Sequence, residues 1–226
     1  MDIITSLKGK VIVSSQAMPG EPFYDENCML AMMKSVISGG AAALRVAGVR
    51  DVKSAKTLGV PVIGLTKPDK LPDNWRSVVY ITPGLNEVRS LIEAGADVIA
   101  FDATPRKRDD NSTVKEIIGL IHSYGRLAMA DISTFEEAVE AEGFGADILS
   151  TTLAGYTEHS SVANDGPDFS LLDKIVKATN KPVFLEGRIW QPSDVKTAFK
   201  LGAYAVVIGS AITRPHLITR RFVEGL

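Results

Sequence analysis

The segment Gly95-Ala-Asp-Val-Ile-Ala100 indicates the architecture of this chain most directly, because close copies of it occur twice more. They are Gly145-Ala-Asp-Ile-Leu-Ser150 and Gly202-Ala-Tyr-Ala-Val-Val207. In each copy a glycine of the kind that ends a helix is followed at once by an apolar run. The repeat predicts one helix-to-strand joint used several times, which is typical of alternating α/β structure.

Eight short apolar runs, separated by gaps long enough for a helix, extend this pattern along the chain. The runs are near-continuous rather than alternating, as expected for parallel strands buried on both faces. Eight such units predict a single (β/α)8 TIM barrel over residues 1–226. An open doubly wound sheet is the less favoured alternative, because the count is eight and no gap could hold a second domain. The predicted strands are Val11–Ser15, Ala42–Val46, Val62–Thr66, Val98–Asp102, Leu127–Asp131, Ile148–Thr152, Val183–Gly187 and Ala205–Gly209.

The gaps between these runs predict the helices, with one irregularity after the third strand. The run Val78–Thr82 resembles a strand, but no helix fits into Lys67–Ser77 before it. We therefore predict an excursion of the loop, with the next helix beginning near Thr82 and Pro83 at its first position. The clearest predicted helices are Leu85–Ala94, Thr113–Tyr124, Thr134–Gly143 and Pro192–Leu201.

The composition narrows the class of protein. A chain of 226 residues with 45% hydrophobic and 23% charged residues can bury one large core. Its net charge of -2 gives no strong basic field, so we expect no nucleic-acid partner. The single cysteine, Cys28, cannot form an internal disulfide, which fits a reducing compartment. Met1–Lys10 has no apolar signal core and no run approaches ~20 apolar residues, so we expect a cytoplasmic protein without a membrane partner.

Polar and charged side chains follow the predicted strands, where barrel enzymes have their active sites. The eight strand ends of one barrel converge on one mouth, and buried charges are costly unless they are used. Some of these charges could be structural, and Arg45 and Asp102 could pair with each other. The candidates are Gln16, Arg45, Lys67, Asp102, Asp131, Glu186 and Arg214.

Lys67, at the end of the third run, is the leading candidate for a general base. An ordinary lysine has a pKa of about 10.4 and is mostly protonated at pH 7. Burial near Arg45 would lower that pKa and make a neutral amine available. A solvated loop lysine is the alternative.

Glu186 is a second candidate, because it follows three apolar residues and also points into the mouth of the barrel. The alternative for Glu186 is a salt bridge to Arg188 or Arg45.

Glycines at the last two strand ends predict a phosphate site. Gly187 and the pair Gly209-Ser210 would let backbone N–H groups approach an anion, with Arg214 close by. Tight packing of two barrel turns is the alternative reading of these glycines.

The histidines and the glycine-rich segments argue against bound cofactors. None of the three histidines, His122, His159 and His216, ends a predicted strand, which disfavours a metal held by histidine and aspartate. Neither a P-loop nor a dinucleotide fingerprint occurs in the sequence. We therefore expect no metal and no nucleotide cofactor.

Eight motifs follow one another in order, from about residue 10 to the end of the chain. They are Val13-Ser-Ser-Gln-Ala-Met-Pro-Gly-Glu-Pro-Phe-Tyr24, Gly64-Leu-Thr-Lys67, Tyr80-Ile-Thr-Pro83, Phe101-Asp-Ala-Thr104, Met129-Ala-Asp-Ile-Ser-Thr134, Thr151-Thr-Leu-Ala-Gly-Tyr-Thr157, Glu186-Gly-Arg188 and Ala211-Ile-Thr-Arg-Pro215. Together they resemble the N-acetylmannosamine-6-phosphate 2-epimerase family. The resemblance implies reversible interconversion of the two N-acetylhexosamine 6-phosphates in sialic acid breakdown. It also implies no metal or organic cofactor, and a homodimer.

The resemblance further implies roles for six of the candidate residues. Lys67 would transfer the proton at C2, and Glu186 would help open the sugar ring or act as a second acid/base. Arg45 would stabilise the enolate oxyanion, and Arg214 would lie near the phosphate. Asp131 and Gln16 would orient hydroxyls and the acetamido group.

The chain departs from the family pattern at several positions, and two other functions stay open. Thr66, Pro68 and Ser210 replace the usual residues, and Pro105 and residues 109–111 interrupt the usual run after the fourth strand. These departures affect the expected shape of the lid and the phosphate pocket. The open alternatives are a Schiff-base phosphosugar aldolase that uses Lys67 and a non-catalytic phosphosugar-binding barrel.

Overall fold

A computed structural model describes residues 2–160 and 165–225, and its eight parallel strands close into a barrel. Each strand pairs with its neighbour in the chain, and the last strand closes on the first through Lys10↔Ala205 to Val13↔Ile208. The predicted barrel is confirmed, with strand bounds that differ by at most two residues. The strands are β1 (Lys10–Ser15), β2 (Leu44–Ala47), β3 (Val62–Leu65), β4 (Val98–Asp102), β5 (Leu127–Asp131), β6 (Ile148–Ser150), β7 (Val183–Glu186) and β8 (Ala205–Ile208).

Helices surround the barrel and end where the sequence predicted. The glycines of the repeated joint, Gly95, Gly145 and Gly202, all have positive φ angles, which allows the chain to leave each helix and enter the next strand. None of the helices within the described residues is long and apolar enough to cross a membrane. The helices are α1 (Ile3–Leu7), α2 (Glu26–Ser38), α3 (Val49–Lys56), α4 (Leu85–Glu93), α5 (Val114–Ser123), α6 (Phe135–Gly143), α7 (Phe169–Ala178), α8 (Pro192–Lys200), α9 (Ser210–Thr213) and α10 (Pro215–Val223).

The alternation of side chains along each strand determines which residues reach the mouth of the barrel. On β4, Val98 and Ala100 belong to the core inside the barrel, whereas Ile99 and Phe101 pack against the helices. Successive side chains point to opposite faces, so Asp102 points inward. The same count from other interior residues directs further charged side chains into the barrel. These are Arg45 after Ala43, Lys67 after Leu65, Asp131 after Met129 and Glu186 after Phe184.

The segment Val78–Thr82 is a loop rather than a strand, as the sequence predicted, but the next helix begins later than expected. The Thr82 amide donates to the Thr66 carbonyl at 3.0 Å, and the Asp102 amide donates to the Ile81 carbonyl at 3.1 Å. Residues 81–82 therefore lie between the upper ends of β3 and β4, which explains their strand-like sequence. The prediction of Pro83 at the first helical position is wrong, because Gly84 is the N-cap and α4 begins at Leu85.

Candidate functional site

A cavity of about 460 Å³ lies at the carboxyl end of the barrel and brings most of the predicted site residues together. A second cavity of about 240 Å³ adjoins it, and Lys67 lines both. Arg45 and Asp131 are almost completely buried and lie beneath the site, outside the lining of either cavity. The predicted residues in the lining of the larger cavity are Gln16, Lys67, Glu186, Gly187, Gly209, Ser210 and Arg214.

A buried ion network lies beneath the site. Arg45 binds Asp131 through two hydrogen bonds, from Nη1 to Oδ1 at 3.0 Å and from Nη2 to Oδ2 at 2.6 Å. Arg45 Nη1 also lies 3.2 Å from Glu186 Oε2. The considered pairing of Arg45 with Asp102 is wrong, because the loop after β4 brings Arg106 back onto Asp102. The salt bridge between Glu186 and Arg45, which was the alternative considered for Glu186, is present. Glu186 nevertheless lines the cavity.

Thr152 joins the two carboxylates of this network, although the sequence did not identify it as a site residue. Its hydroxyl lies 2.7 Å from Asp131 Oδ1 and 3.2 Å from Glu186 Oε2. Thr152 follows β6 in a short 3-10 turn, Thr151–Leu153, and lines the cavity. The period-two count from Ile148 through Ser150 would have indicated an inward side chain at this position.

The ammonium group of Lys67 has an environment suited to losing its proton. Burial, and then the positive charge of Arg45, lower the pKa of Lys67 to about 8. Within residues 2–160 and 165–225, no carboxylate oxygen lies within salt-bridge distance of Lys67. A neutral amine is therefore accessible near neutral pH, as a general base requires.

The carboxyl group of Glu186 has an environment suited to keeping its proton. Burial raises the pKa of its carboxyl to about 7, although the Arg45 guanidinium acts in the opposite direction. The nearby Asp131 carboxylate also favours the protonated form of Glu186. Lys67, a base with a pKa of about 8, and Glu186, an acid with a pKa of about 7, therefore line one cavity. Such a pair is typical of proton-transfer sites.

The predicted phosphate residues lie together at the ends of β7 and β8. Gly187 has a φ of +105°, and a Cβ at Gly209 would lie 3.4 Å from the Cβ of Ser14. Gly209 is the N-cap of α9, so the first amides of that short helix are near the cavity. Arg214 lines the cavity as well, and its Nη1 lies 3.6 Å from Glu21 Oε1.

Gln16 and the residues that depart from the family pattern have distinct positions. The Gln16 amide nitrogen donates to Ser14 Oγ at 2.8 Å, while its buried amide oxygen has no hydrogen-bond partner among the described residues. Thr66 precedes the inward Lys67 and therefore points away from the barrel interior. Asp110 accepts a hydrogen bond from the Leu85 amide at 2.9 Å, so it supports the start of α4 rather than the cavity.

One side of the cavity is apolar and was not anticipated from the sequence. We call Leu71, Trp75, Tyr80 and Tyr156 the apolar wall; all four line the cavity. The Trp75 ring contacts Tyr80 edge-on at a centroid distance of 6.3 Å and lies 6.4 Å from Tyr156. The available sequence signal was the long helix-free segment after β3, since such loops are usually functional.

The described part of the chain contains no group of three or more histidine, cysteine, aspartate or glutamate side chains able to hold a metal ion. The acidic groups nearest the site are already engaged, because Asp131 and Glu186 both contact Arg45. The absence of a metal requirement remains a prediction from the sequence.

Comparisons with known proteins agree on one family. Residues 29–226 match the family model described as "Putative N-acetylmannosamine-6-phosphate epimerase". Relatives described as "Putative N-acetylmannosamine-6-phosphate 2-epimerase" include one from Caldanaerobacter subterraneus subsp. tengcongensis, 47% identical over 226 residues, covering 99% of this chain and 93% of the relative. Another, from Clostridioides difficile, is 43% identical over 226 residues and covers 99% of both chains.

A solved structure from the same family is also similar to this chain. The structure of the N-acetylmannosamine-6-phosphate 2-epimerase from Clostridium perfringens has a TM-score of 0.94 and 44% identity, covering 100% of this chain and 97% of that one. A thiamine phosphate pyrophosphorylase from Pyrococcus furiosus has a TM-score of 0.63 at 18% identity and is similar in fold alone.

Proposed function

Since this chain belongs to the N-acetylmannosamine-6-phosphate epimerase family, we propose that it interconverts N-acetylmannosamine 6-phosphate and N-acetylglucosamine 6-phosphate by proton transfer at C2. The observation that carries this proposal is the pair of Lys67 and Glu186 in one cavity, with pKa values of about 8 and about 7. The reaction belongs to the breakdown of sialic acid and other amino sugars.

The chemistry begins with opening of the sugar ring, because the C2–H bond becomes acidic only beside a free C1 aldehyde. Protonated Glu186 donates its proton to the ring oxygen as the C1–O5 bond breaks. The resulting carboxylate then takes up the proton of the C1 hydroxyl, so Glu186 ends the step protonated. The Glu186 pKa of about 7 supports this exchange, since both forms are accessible near neutral pH.

Proton transfer at C2 follows on the open-chain aldehyde. Neutral Lys67 removes the C2 proton, and the electron pair of the C–H bond moves into an enolate whose charge lies on the C1 oxygen. Arg45, held by Asp131 directly beneath Glu186, provides the positive charge that stabilises this oxyanion. Return of a proton to the opposite face of C2, from Lys67 or from Glu186, gives the epimer.

Two sets of residues bind and orient the sugar in this proposal. The 6-phosphate binds the backbone of Gly187, Gly209 and Ser210, with Arg214 beside it. Gln16 orients polar groups of the substrate, and its unpaired amide oxygen supports this role. Asp131 acts from beneath the cavity, by fixing Arg45 and Thr152.

The function is tested by proton NMR of the purified protein with N-acetylmannosamine 6-phosphate in deuterated water. We expect the C2–H signal to disappear while N-acetylglucosamine 6-phosphate accumulates. Binding without any change in the spectrum would instead support a phosphosugar-binding barrel. Carbon–carbon cleavage, with an adduct on Lys67 trapped by borohydride, would support the aldolase.

Arg214→Ala tests the phosphate site. Loss of the guanidinium should weaken binding of the phosphorylated sugar by ~10-fold or more, since hydrogen bonds between charged groups contribute about 1.5–3 kcal/mol. Unphosphorylated N-acetylmannosamine should react poorly with the wild-type protein and be little affected by the variant. Isothermal titration calorimetry and kinetics check this, with exposed Arg220→Ala as the control. Equal turnover of both sugars would show that the phosphate binds elsewhere or not at all.

Chelation tests independence from metal ions. Because Arg45 provides the positive charge in this mechanism, extensive treatment with a chelator should leave the epimerisation rate unchanged. A rate that falls on chelation and returns with a divalent ion would contradict the mechanism.

We also propose a cytoplasmic homodimer. Phe222 and Val223 on α10 are 76% and 63% exposed, and a second chain would remove such side chains from water. Light scattering should then give twice the mass of one chain, whereas the mass of a monomer would contradict the dimer. The single, unpaired Cys28 supports the reducing compartment.

A further inference from the structure

The hydroxyl group of Thr152 faces more oxygen atoms than its single proton can serve. Its Oγ1 lies 2.7 Å from Asp131 Oδ1, 2.8 Å from Ser150 Oγ and 3.2 Å from Glu186 Oε2. A threonine hydroxyl has one proton to donate and two lone pairs that accept. The completely buried Ser150 has a proton of its own and can donate to Thr152. The two carboxyl groups therefore compete for the proton of Thr152.

The protonation state of Glu186 decides this competition. Asp131 accepts hydrogen bonds from Arg45 at both of its oxygens and so acts as a carboxylate. While Glu186 is protonated and neutral, the charged Asp131 is the better acceptor, and hydrogen bonds to charged groups are shorter. The 2.7 Å contact with Asp131 and the 3.2 Å contact with Glu186 match this state.

Loss of the proton from Glu186 reverses the preference. The ionised carboxylate becomes a strong acceptor, and a lone pair of Thr152 directed at it from 3.2 Å would repel it. Asp131 keeps its two hydrogen bonds from Arg45 in either state, so it loses less than Glu186 gains when the hydroxyl proton moves. The O–H bond of Thr152 should therefore turn toward Glu186 at this point.

The neighbouring Thr151 keeps Thr152 within reach of Glu186. The Oγ1 of Thr151 accepts from the Glu186 amide at 3.1 Å and donates to the Glu186 carbonyl at 3.1 Å. Thr151 is almost completely buried, so water does not compete for these contacts. The turn Thr151–Leu153 is thereby fixed to the end of β7 whatever the charge of the Glu186 side chain.

The charged groups that face Glu186 come from three other parts of the barrel. Burial raises the pKa of the Glu186 carboxyl, and Arg45 on β2 lowers it. Asp131 on β5 raises this pKa, and Lys67 after β3 lowers it. The hydrogen bond from Thr152 also lowers the pKa of Glu186, because it stabilises the carboxylate.

We propose that Thr152 is a positioning residue whose hydroxyl proton turns from Asp131 to Glu186 when Glu186 gives up its proton, and turns back when Glu186 regains it. The O–H bond of Thr152 stays intact, so threonine neither gains nor loses a proton. This inference rests on the proposed function and adds the group that stabilises the Glu186 carboxylate during ring opening. Thr152 acts through Glu186 and needs no contact with the substrate.

Thr152→Val tests this role, because valine keeps the shape of threonine and has no proton to donate. Activity requires neutral Lys67 and protonated Glu186, so kcat/KM should follow a bell whose maximum lies at the mean of their two pKa values. Loss of one hydrogen bond to a carboxylate should raise the pKa of Glu186 by about one unit or more. The maximum of the bell should then move to higher pH by about half a unit or more.

Two further variants show whether the hydroxyl is responsible. Thr152→Ser keeps the hydroxyl, so the maximum should stay at the wild-type pH. Thr57→Val removes an exposed hydroxyl that donates to the Ser54 carbonyl, and it should leave the bell unchanged. General destabilisation would lower kcat/KM at every pH without moving the maximum.

Infrared titration measures the same effect without turnover. The band of the protonated Glu186 carboxyl is assigned by its loss in Glu186→Gln. In Thr152→Val this band should persist to a pH about one unit or more above its wild-type midpoint. Circular dichroism checks the fold, and Thr152→Ala takes the place of the valine variant if valine prevents folding.

The outcomes separate this inference from the proposed function. A folded Thr152→Val variant with the wild-type maximum and the wild-type infrared midpoint would overturn the role of Thr152 and leave the epimerase function standing. A shift to lower pH, or an equal shift in Thr152→Ser, would overturn it as well. A wild-type protein that does not epimerise the sugar would overturn the proposed function, whereas the infrared titration would still test the contact between Thr152 and Glu186.

Discussion

Lys67→Met is expected to lower the rate of epimerisation by at least ~10²–10⁴-fold, the typical effect of removing a general base. The reason is that Lys67 is the one lysine among the described residues that line the cavity, and no histidine lines it. Methionine keeps the length and apolar bulk of the lysine stem, so the barrel should fold normally. Steady-state kinetics with N-acetylmannosamine 6-phosphate measure the loss.

The control for this variant is Lys70→Met, on the same loop but exposed to solvent. It should retain the wild-type rate, and both variants should keep the wild-type circular dichroism spectrum. Binding of the phosphosugar to Lys67→Met should also stay near normal, because the phosphate contacts are unchanged. A rate within a few-fold of wild type would transfer the base function to Glu186 or Asp131.

Glu186→Gln should have the second largest effect, a loss of ~10²-fold or more, because glutamine cannot exchange a proton with the ring oxygen. The amide is nearly isosteric, so contacts with Thr152 and Arg45 can largely persist. Substrate that is already in the open-chain form should recover part of the rate, since the lost step is ring opening. The exposed variant Glu140→Gln is the control and should behave as wild type.

The pKa values of Lys67 and Glu186 also predict how the epimerisation rate depends on pH. Neutral Lys67 becomes more abundant as the pH rises toward about 8, whereas protonated Glu186 becomes less abundant above about pH 7, and the rate depends on both forms. The result is a bell with a narrow maximum between these values, in which the active form is about one tenth of the singly protonated pair. Glu186→Gln should lose the alkaline decline and keep a rising limb at lower pH, because Glu186 otherwise raises the Lys67 pKa. A variant that keeps the complete bell would contradict the role of Glu186.

The sequence predicts the barrel well because local signals and global topology agree. The glycine of each repeated joint and the apolar run after it fix where a strand begins, and period-two alternation then fixes which side chain points inward. Lys67 and Glu186 could be identified in this way because Glu186 is the last residue of β7 and Lys67 follows β3 by two residues.

Pairings across the barrel could not be read from the sequence, since they depend on distances between strands far apart in the chain. Arg45 reaches Asp131 on β5, whereas Asp102 is neutralised by Arg106 from its own loop. Asp102 and Asp131 each end a predicted strand, so the sequence gives no reason to distinguish them. Only the return of the loop after β4 distinguishes them.

The conformation of the loops could not be predicted from the sequence either. The helix-free segment after β3 was predicted, but its contribution to the cavity was not. Trp75 lines the cavity because Arg106 holds carbonyls of the neighbouring residues, and this contact joins positions about thirty residues apart. No local pattern encodes such a contact.

The central claim is that Lys67 carries the proton of C2, and hydrogen exchange at C2 measures this most directly. Wild type and Lys67→Met are each incubated with N-acetylmannosamine 6-phosphate in deuterated water, and the C2–H signal is followed by proton NMR. We predict that the wild type replaces this hydrogen with deuterium as it epimerises, whereas Lys67→Met leaves the signal intact while still binding the sugar. Deuterium uptake by Lys67→Met at the wild-type rate would contradict the account.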